Sequence, residues 1–322
     1  MAVYTQLNKC KIEEILSHYS LGELESFKEI EEGIENTNYF LLVNKKKLIL
    51  TVYEKRVKSE DLPFFSNLMS SLNKANFKCP APIINNNNST ITNFNGKKLM
   101  IVSFLEGKAK SNLTPDNCKA VGMEAAKMHG LTKNLKLKRQ NDLSIGSWRG
   151  LFDSVKDQCS KLHKDLPKLI VENLGSVEQN WPKDLPKGII HAYLFHVNIF
   201  FNKEKLSGII DFYFSCEDFF AFEIAICFNA LCFDGTKENL SFNVTKAKNY
   251  IDGYSSIRKL SDQEKQNIKV LSQGAALRFL LTRVFDALNT VEGAIVKVKD
   301  PIEYLKRLEF HKNTKNYEDY FF

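Results

Sequence analysis

The sequence lacks the features that membrane, secreted and zinc-binding proteins require. Its longest apolar run, residues 219–233, is interrupted by Glu223 and Asn229 and is too short to span a bilayer. The first residues carry no apolar signal segment with a cleavage site. The seven cysteines are odd in number and show neither a CxxC nor a Cys/His ligand spacing. We therefore expect a soluble, cytoplasmic protein with reduced thiols and no membrane partner.

Basic residues are in slight excess but are not concentrated in one stretch. The net charge is +7, from 45 Lys and Arg against 38 Asp and Glu, and the lysines are dispersed. Because a nucleic-acid-binding face needs a basic patch with interleaved aromatic residues, we expect no nucleic-acid partner. A mild positive field still favours an anionic ligand such as a nucleotide. The composition, 43% hydrophobic and 26% charged, allows a sizeable core and leaves the oligomeric state open.

One stretch, residues 187–215, combines a strand pattern with polar residues at suggestive positions. Two apolar runs rich in Ile and Phe, 198–201 and 206–212, flank a polar turn and predict a β-hairpin. His191, Asn198 and Asp211 would then meet at one end of it. In phosphotransferases that hold Mg-ATP, Asn and Asp oxygens bind the magnesium ion. A buried hairpin whose His and Asn cap their own loop explains the segment equally well.

The order of the predicted elements divides the chain into a strand-rich and a helical part. The first part ends at the break Leu105-Glu106-Gly107, which we interpret as a hinge. Its predicted strands are 27–32, 39–43, 48–53, 90–94 and 98–104, and its predicted helix is 62–72. The predicted helices of the second part are 114–130, one or two within 151–180, 218–233 and 268–289. The pattern is that of an α+β protein with lobes at 1–106 and 107–322.

Several segments, spread over nearly the whole length, resemble the homoserine kinases of the aminoglycoside-phosphotransferase-like superfamily. They include GIENTNYF (33–40), SFLEG (103–107), GAALRFLLTR (274–283) and KDPIEYLKRLEFH (299–311). The resemblance implies a bilobal, protein-kinase-like α+β fold. Its small antiparallel-sheet lobe would bind the nucleotide, and its larger helical lobe would bind the substrate and carry catalysis. It also implies ATP and Mg2+ as cofactors and phosphorylation of the L-homoserine side-chain hydroxyl, a step towards threonine.

The resemblance also assigns nucleotide-binding residues. In the family, the turn at 33–38 lies over the ATP phosphates, a nearby cation meets them, and the end of the fifth strand contacts adenine through its backbone. The turn holds a single glycine, so a cradle here would use backbone amides and polar side chains. An ordinary hairpin turn fits its composition equally well. The residues assigned in this way are Asn36, Thr37, Asn38, Lys55, Ser103 and Leu105, with Arg56 as an alternative cation.

The catalytic loop departs from the family at its most important position. The family sequence HADLFPDN is replaced by HAYLFHVN at residues 191–198. Tyr193 therefore stands where the family has its catalytic Asp, and a phenol with a pKa near 10 is a poor general base at neutral pH. His196 and Val197 replace the family's Pro and second Asp. The catalytic positions of this chain are thus His191, Tyr193 and Asn198.

Four interpretations follow from this departure. The first is a homoserine kinase with impaired turnover. The second is a pseudokinase that keeps the fold and nucleotide binding, and the third has His196 replacing the lost base. The fourth is a kinase for another small hydroxylated molecule, such as choline or an aminoglycoside, although no aromatic cage or large acidic pocket is visible in the sequence.

The helical part supplies candidates for bracing the loop and for binding the substrate. Glu223 stands where the superfamily has an Asp that braces the catalytic loop. A homoserine pocket needs an Arg for the α-carboxylate and an acid for the α-ammonium, and Arg278, Arg283 and Asp286 offer both. Arg283 and Asp286 are three residues apart on a predicted helix, so they also suit a local ion pair.

Overall fold

The computed structural model describes residues 5–31, 36–54, 57–236, 238–289 and 299–320. By its internal contacts the chain forms two compact units. The first is Met1–Gly107 with Ser207–Tyr213, and the second is Lys108–Leu206 with Phe214–Phe322. The sequence assigned residues 207–213 to the C-terminal lobe. Within the first unit, however, this segment is tied to Lys78, whose carbonyl oxygen accepts a hydrogen bond of 3.0 Å from the backbone N–H of Ile209.

The first unit is an antiparallel sheet with two helices. Its five strands lie in the order β1-β2-β3-β5-β4, and every neighbouring pair is antiparallel. Helix α1 precedes the sheet, and α2 connects the third and fourth strands. The elements are α1 (Lys9–Leu16), β1 (Leu24–Ile30), β2 (Thr37–Val43), β3 (Lys46–Val52), α2 (Leu62–Lys74), β4 (Thr92–Phe94) and β5 (Lys97–Ser103).

Local sequence explains most of this unit. Strand β2 alternates buried and partly buried residues, as expected for a strand with one face on a core. The two residues that join it to β3, Asn44 and Lys45, have φ of 45° and 62°, the backbone form of the tightest hairpin turns. Helix α2 begins with a proline in its first turn, as predicted. The predicted strand-rich lobe is confirmed.

The second unit is mainly helical, with short strands between the helices. Its helices are α3 (Pro115–Thr132), α4 (Ile145–Asp153), α5 (Leu166–Asn180), α6 (Phe220–Leu231), α7 (Val244–Ser255), α8 (Asp262–Leu288) and α9 (Ile302–Asn313). Its strands are β6 (Lys108–Ala109), β7 (Lys187–Ile190), β8 (Ile199–Asn202), β9 (Lys205–Ile209, which crosses the unit boundary), β10 (Cys216–Phe219), β11 (Phe233–Asp234) and β12 (Ser241–Phe242). None of the helices in the described ranges is long and apolar enough to cross a membrane.

The predicted β-hairpin is confirmed, with a second strand that is shorter than expected. Strand β8 lies between β6 and β9 in a three-stranded sheet, and its turn to β9 consists of Lys203 and Glu204. Lys203 has φ of 55°, which a two-residue turn requires. Asn198 ends a 3-10 turn just before β8, and Asp211 follows the end of β9. Both polar residues therefore lie outside the strands.

Two predicted helix starts in the second unit are wrong. The helix predicted over 218–233 begins at Phe220, because Cys216–Phe219 form β10, which pairs antiparallel with β7. The helix predicted over 268–289 begins six residues earlier, at Asp262. Ser261 accepts a hydrogen bond of 3.2 Å from the backbone N–H of Glu264, whose carboxylate accepts one of 2.9 Å from the N–H of Ser261. This reciprocal cap fixes the start of the helix.

Helices α3 and α7 approach closely at two glycines. A β-carbon at Gly122 would overlap the carbonyl oxygen of Tyr250, and one at Gly253 would overlap that of Lys119. We expect Gly122→Ala to lower the free energy of unfolding by about 1–3 kcal/mol, because the backbone of Tyr250 cannot move aside as a side chain can. Gly130, on the same helix, has open space at its β-carbon position, so Gly130→Ala should stabilise by about 0.5–1 kcal/mol. Urea denaturation checks both; equal effects would contradict the close approach.

Candidate active site

The loop at residues 191–198 leaves β7 through a strained residue that is held on both sides. Ala192 has φ of 62°, a conformation that costs a non-glycine residue roughly 1–2 kcal/mol. The backbone N–H groups of His191 and Ala192 both donate to Oε2 of Glu223, the latter at 3.1 Å. The carbonyl oxygen of Ala192 accepts a hydrogen bond of 2.9 Å from Nη1 of Arg278. A carboxylate and a guanidinium thus fix the start of the loop.

Glu223 is the brace that the resemblance implied, and its environment is unusual for a carboxylate. The residue is fully buried, and the described residues offer its Oε1 no hydrogen-bond partner. Burial raises the pKa of its carboxyl to about 7, although the two backbone N–H groups and Arg278 act in the opposite direction. The carboxyl that holds the loop therefore changes charge close to neutral pH.

This raised pKa has a consequence for stability. The ordinary pKa of a glutamate carboxyl is 4.5, so between pH 4.5 and about pH 7 the folded chain holds a proton at Glu223 that the unfolded chain releases. The contribution of Glu223 to the free energy of unfolding is therefore fully present at low pH. It declines by about 3 kcal/mol as the pH rises to about 7. We expect Glu223→Gln to remove this decline. Urea denaturation of both proteins at pH 5 and pH 8 measures it; a parent-minus-variant difference that does not change with pH would contradict it.

Arg278 lies beneath the loop. Only 1% of its surface is exposed, and its Nε atom has no hydrogen-bond partner in the described part of the chain. Burial lowers the pKa of its guanidinium, while the negative charges of Asp218 and Glu223 oppose that change. The sequence suggested Arg278 for the carboxylate of homoserine. Its observed contact is instead the backbone of Ala192, so the substrate role stays a prediction.

Tyr193 packs against the hydrophobic core of the second unit in an aromatic cluster. Its ring centroid lies 4.8 Å from that of Phe195, 4.7 Å from that of Phe214 and 6.1 Å from that of Phe279. Its backbone N–H donates to Nδ1 of His191 at 3.3 Å. Residues 191–198 contain no carboxylate, so the loop keeps a braced backbone and offers no acidic side chain as a base.

Asn198 closes the loop and keeps an oxygen available. Its Nδ2 donates to the carbonyl oxygen of Tyr193 at 2.9 Å, and only 5% of the residue is exposed. Among the described residues, no donor bonds to its Oδ1. This amide oxygen is of the type that Mg2+ prefers. The predicted capping of the loop by Asn198 and its predicted metal-ligand role are compatible, since they use different atoms.

Asp211, the other predicted metal ligand, belongs to the first unit, whereas Asn198 belongs to the second. It is half-buried, and its φ is 66°. Burial raises the pKa of Tyr213 to about 12 and that of Tyr53 as well, and the negative charge of Asp211 raises both further. The described residues hold no group of three or more His, Cys, Asp or Glu that could bind a metal. A carboxylate and an amide are each of the oxygen-donor type that Mg2+ prefers, and the metal-ligand role of both residues stays a prediction.

The residues predicted to cradle the phosphates are bonded within the first unit. Thr37 is fully buried and its hydroxyl donates to Oε1 of Glu54 at 2.9 Å. The hydroxyl of Thr51 donates to Oδ1 of Asn38 at 2.8 Å, and the N–H of Glu54 donates to Oδ1 of Asn36 at 3.3 Å. These side chains hold the ends of β2 and β3 together. Their predicted contact with phosphate stays a prediction, and Lys55 and Arg56 lie outside the described residues.

The predicted adenine-binding segment follows the end of β5. Its first residue, Ser103, donates its N–H to the carbonyl oxygen of Ala81 at 2.9 Å and accepts a bond of the same length from the N–H of Ala81 at its Oγ. Leu105 is half-buried. The backbone at this strand end is therefore fixed by neighbouring segments of the first unit, and adenine binding stays a prediction.

The structure pairs Arg283 with a carboxylate that the sequence did not suggest. Its Nη1 donates to the carbonyl oxygen of Asp300 and to Oε2 of Glu303, both at 2.8 Å, and its guanidinium carbon lies 4.5 Å from the ring centroid of Tyr304. Glu303, and not Asp286, is thus its ion-pair partner. The substrate roles of Arg283 and Asp286 stay predictions.

One charged residue that the sequence did not single out organises the first unit. Glu54 accepts hydrogen bonds from Thr37 and from Lys97, the latter at 2.6 Å, and its side chain is 10% exposed. Burial raises the pKa of its carboxyl, but the hydrogen bonds from Lys97, Thr5 and Thr37 outweigh burial and lower it overall. Lys97 lies 43 residues further along the chain, so no local pattern reveals this pair.

Comparison with known proteins agrees with this geometry. The family model described as "Phosphotransferase enzyme family" matches residues 26–260. The homoserine kinases of Allorhizobium ampelinum and Xanthobacter autotrophicus are both 43% identical over 99% of this chain and 99% of their own length. The structure is also similar to that of amicoumacin kinase in complex with AMP-PNP, Ca2+ and Ami, with a TM-score of 0.70 at 12% identity over 97% of this chain and 95% of that one. The predicted α+β fold is thus confirmed, and the chain belongs to the phosphotransferase enzyme family and, within it, to the homoserine kinases.

Proposed function

We propose that this chain transfers the γ-phosphoryl group of ATP to the side-chain hydroxyl of L-homoserine, giving O-phospho-L-homoserine, a step towards threonine. The observation that carries the proposal is the full-length similarity to homoserine kinases, 43% identical over 99% of both chains. The loop geometry supports it, because Glu223 and Arg278 hold the backbone of residues 191 and 192 in place without help from the missing carboxylate. A braced loop is what a reaction that depends on positioning requires.

The phosphoryl donor in this proposal is ATP with Mg2+. The structure of amicoumacin kinase, which shares the fold, is that of a complex with AMP-PNP, Ca2+ and Ami. When bound, the metal ion would neutralise charge that develops on the phosphate oxygens. Asn198 and Asp211 are the proposed ligands, and the backbone around Asn36 and Asn38 is the proposed phosphate contact. The seven cysteines are free thiols, which supports a location in the cytoplasm.

The missing carboxylate sets the expected rate. In the family, the Asp at position 193 orients the acceptor hydroxyl and accepts its proton. Since phosphoryl transfer depends mainly on positioning and charge stabilisation, Tyr193 should slow the reaction and not abolish it. The loss of a positioned base typically costs about 10²–10⁴ in rate. Burial and the charge of Lys299 lower the pKa of His196, so its imidazole is neutral at pH 7 but a weaker base than usual.

The test is coupled ADP release with Mg-ATP and a panel of acceptors. L-homoserine should support more ADP release than L-threonine, choline, kanamycin or no acceptor. Higher turnover with choline or kanamycin would contradict the substrate assignment. Binding of ATP and L-homoserine with no turnover above the acceptor-free rate would identify a pseudokinase. An unchanged rate in His196→Ala would exclude the imidazole as the base.

A further inference from the structure

An acceptor with an α-carboxylate needs a cation that is not already committed to the protein. The arginines that surround the loop on the second unit are committed. Arg278 donates to the carbonyl oxygen of Ala192 from a fully buried position. Arg283 donates to Glu303, which also lies 3.7 Å from Nη1 of Arg307. One carboxylate is therefore shared by two arginines, and each of the three guanidiniums already contacts the protein.

Lys299 is placed differently. Its Nζ lies 5.6 Å from the ring centroid of Phe195, and its charge is felt by the next loop residue, His196, whose pKa it lowers after the larger effect of burial. Lys299 is exposed, and in the described part of the chain it forms no ion pair. A contact with an aromatic face at an exposed site is worth only about 0.5–1 kcal/mol, and it leaves the N–H donors of the ammonium available.

Arg283 and Glu303 are charged residues that act on Lys299. Although the residue as a whole is exposed, surrounding protein partly desolvates its ammonium and lowers the ammonium's pKa. The nearby Arg283 lowers this pKa further, and Glu303 acts in the opposite direction. Glu303 is itself shared with Arg283 and Arg307, and His196 adds no negative charge. An anion that binds beside Lys299 would relieve the repulsion between these cations. The position suits a small carboxylate held next to the loop at which the acceptor hydroxyl must lie.

We propose that Lys299 binds the α-carboxylate of the acceptor and thereby selects an amino acid over the corresponding amino alcohol. This inference rests on the proposed function and makes it more specific. It assigns the recognition of the carboxylate to a residue at the start of the segment 299–311, in place of the arginines of α8. Lys299 acts as a specificity residue and takes no part in transferring the phosphoryl group.

The experiment compares two ligands that differ only in the carboxylate. Isothermal titration calorimetry, in the presence of AMP-PNP and Mg2+, measures binding of L-homoserine and of 3-aminopropan-1-ol, which is the same skeleton without the carboxylate. In Lys299→Gln, affinity for L-homoserine should fall about 10- to 100-fold, as expected for loss of a charge-assisted hydrogen bond. Affinity for 3-aminopropan-1-ol should stay within about twofold, because it makes no such bond. Lys299→Arg should keep most of the preference.

The controls separate the possible failures. Lys315→Gln changes the net charge equally at an exposed position and should leave both affinities unchanged. If Lys299→Gln leaves the preference for L-homoserine intact, or weakens both ligands equally while AMP-PNP still binds, the assignment of Lys299 is overturned and the proposed function stands. If the parent chain binds AMP-PNP but neither it nor Tyr193→Asp binds L-homoserine, the proposed function fails and the assignment fails with it.

Discussion

Tyr193→Asp is expected to raise the kcat for phosphorylation of L-homoserine by about 10²–10⁴. The backbone at this position is already held by Glu223 and Arg278, whose contacts involve residues 191 and 192 and not the side chain at 193. A carboxylate placed there can therefore orient the hydroxyl and accept its proton without rebuilding the loop. The substitution also removes a phenol ring whose centroid lies 4.7 Å from the ring centroid of Phe214. Coupled ADP release measures the change.

A matched variant identifies the source of this gain. Tyr193→Asn removes the same ring and has nearly the same size as the Asp variant, but it cannot accept the proton. We expect it to gain far less than Tyr193→Asp. Equal gains in the two variants would mean that the ring obstructs the acceptor and that a base is not required. If Tyr193→Asp is inactive and the further change Val197→Asp restores turnover, the second missing carboxylate is the essential one.

Arg278→Met is expected to lower the free energy of unfolding by about 2–5 kcal/mol. The substitution keeps much of the apolar stem but removes the donor to the carbonyl oxygen of Ala192. It also takes a buried positive charge away from the fully buried carboxylate of Glu223. Urea denaturation measures the loss. Arg149→Met, which removes an exposed ion pair with Glu178, should change stability little.

A double variant tests whether the two buried groups act together. In Arg278→Met with Glu223→Gln, no buried charge is left unbalanced beneath the loop, so the loss should be smaller than the sum of the two single losses. Strict additivity would show that the guanidinium and the carboxyl act independently on Ala192. An unchanged stability in Arg278→Met alone would contradict the bracing role.

Sequence predicts the elements whose causes are local. The turn at Asn44 and Lys45 is predicted because it lies between two apolar runs. Helix α2 is predicted from its early proline and its apolar spacing. The start of α6 was misplaced for the opposite reason. The helix predicted over 218–233 includes Asp218 and Phe219, but these residues belong to β10, whose partner strand β7 ends 26 residues before Cys216, at Ile190. Pairing over that distance leaves no mark in the local pattern.

The candidate site shows the same limit in its side chains. The loss of the catalytic Asp can be seen in the sequence itself, since it depends on a single position. The role of Arg278 is not, because an arginine on an apolar helix reads equally well as a ligand for substrate or as a buried brace. The bond that reveals the bracing contact joins residues 86 apart in the chain. Lys299 was passed over because its position beside Phe195 is likewise set by tertiary packing.

The most direct test of the proposed function is to identify the product. The unaltered chain is incubated for hours at high concentration with Mg-ATP and L-homoserine, and mass spectrometry measures O-phospho-L-homoserine against samples that lack the protein, the ATP or the amino acid. We expect slow formation of O-phospho-L-homoserine that requires all three and increases with protein concentration. Complete absence of this product, in a preparation that binds AMP-PNP and L-homoserine, would contradict the account and leave the chain a braced scaffold without phosphoryl transfer.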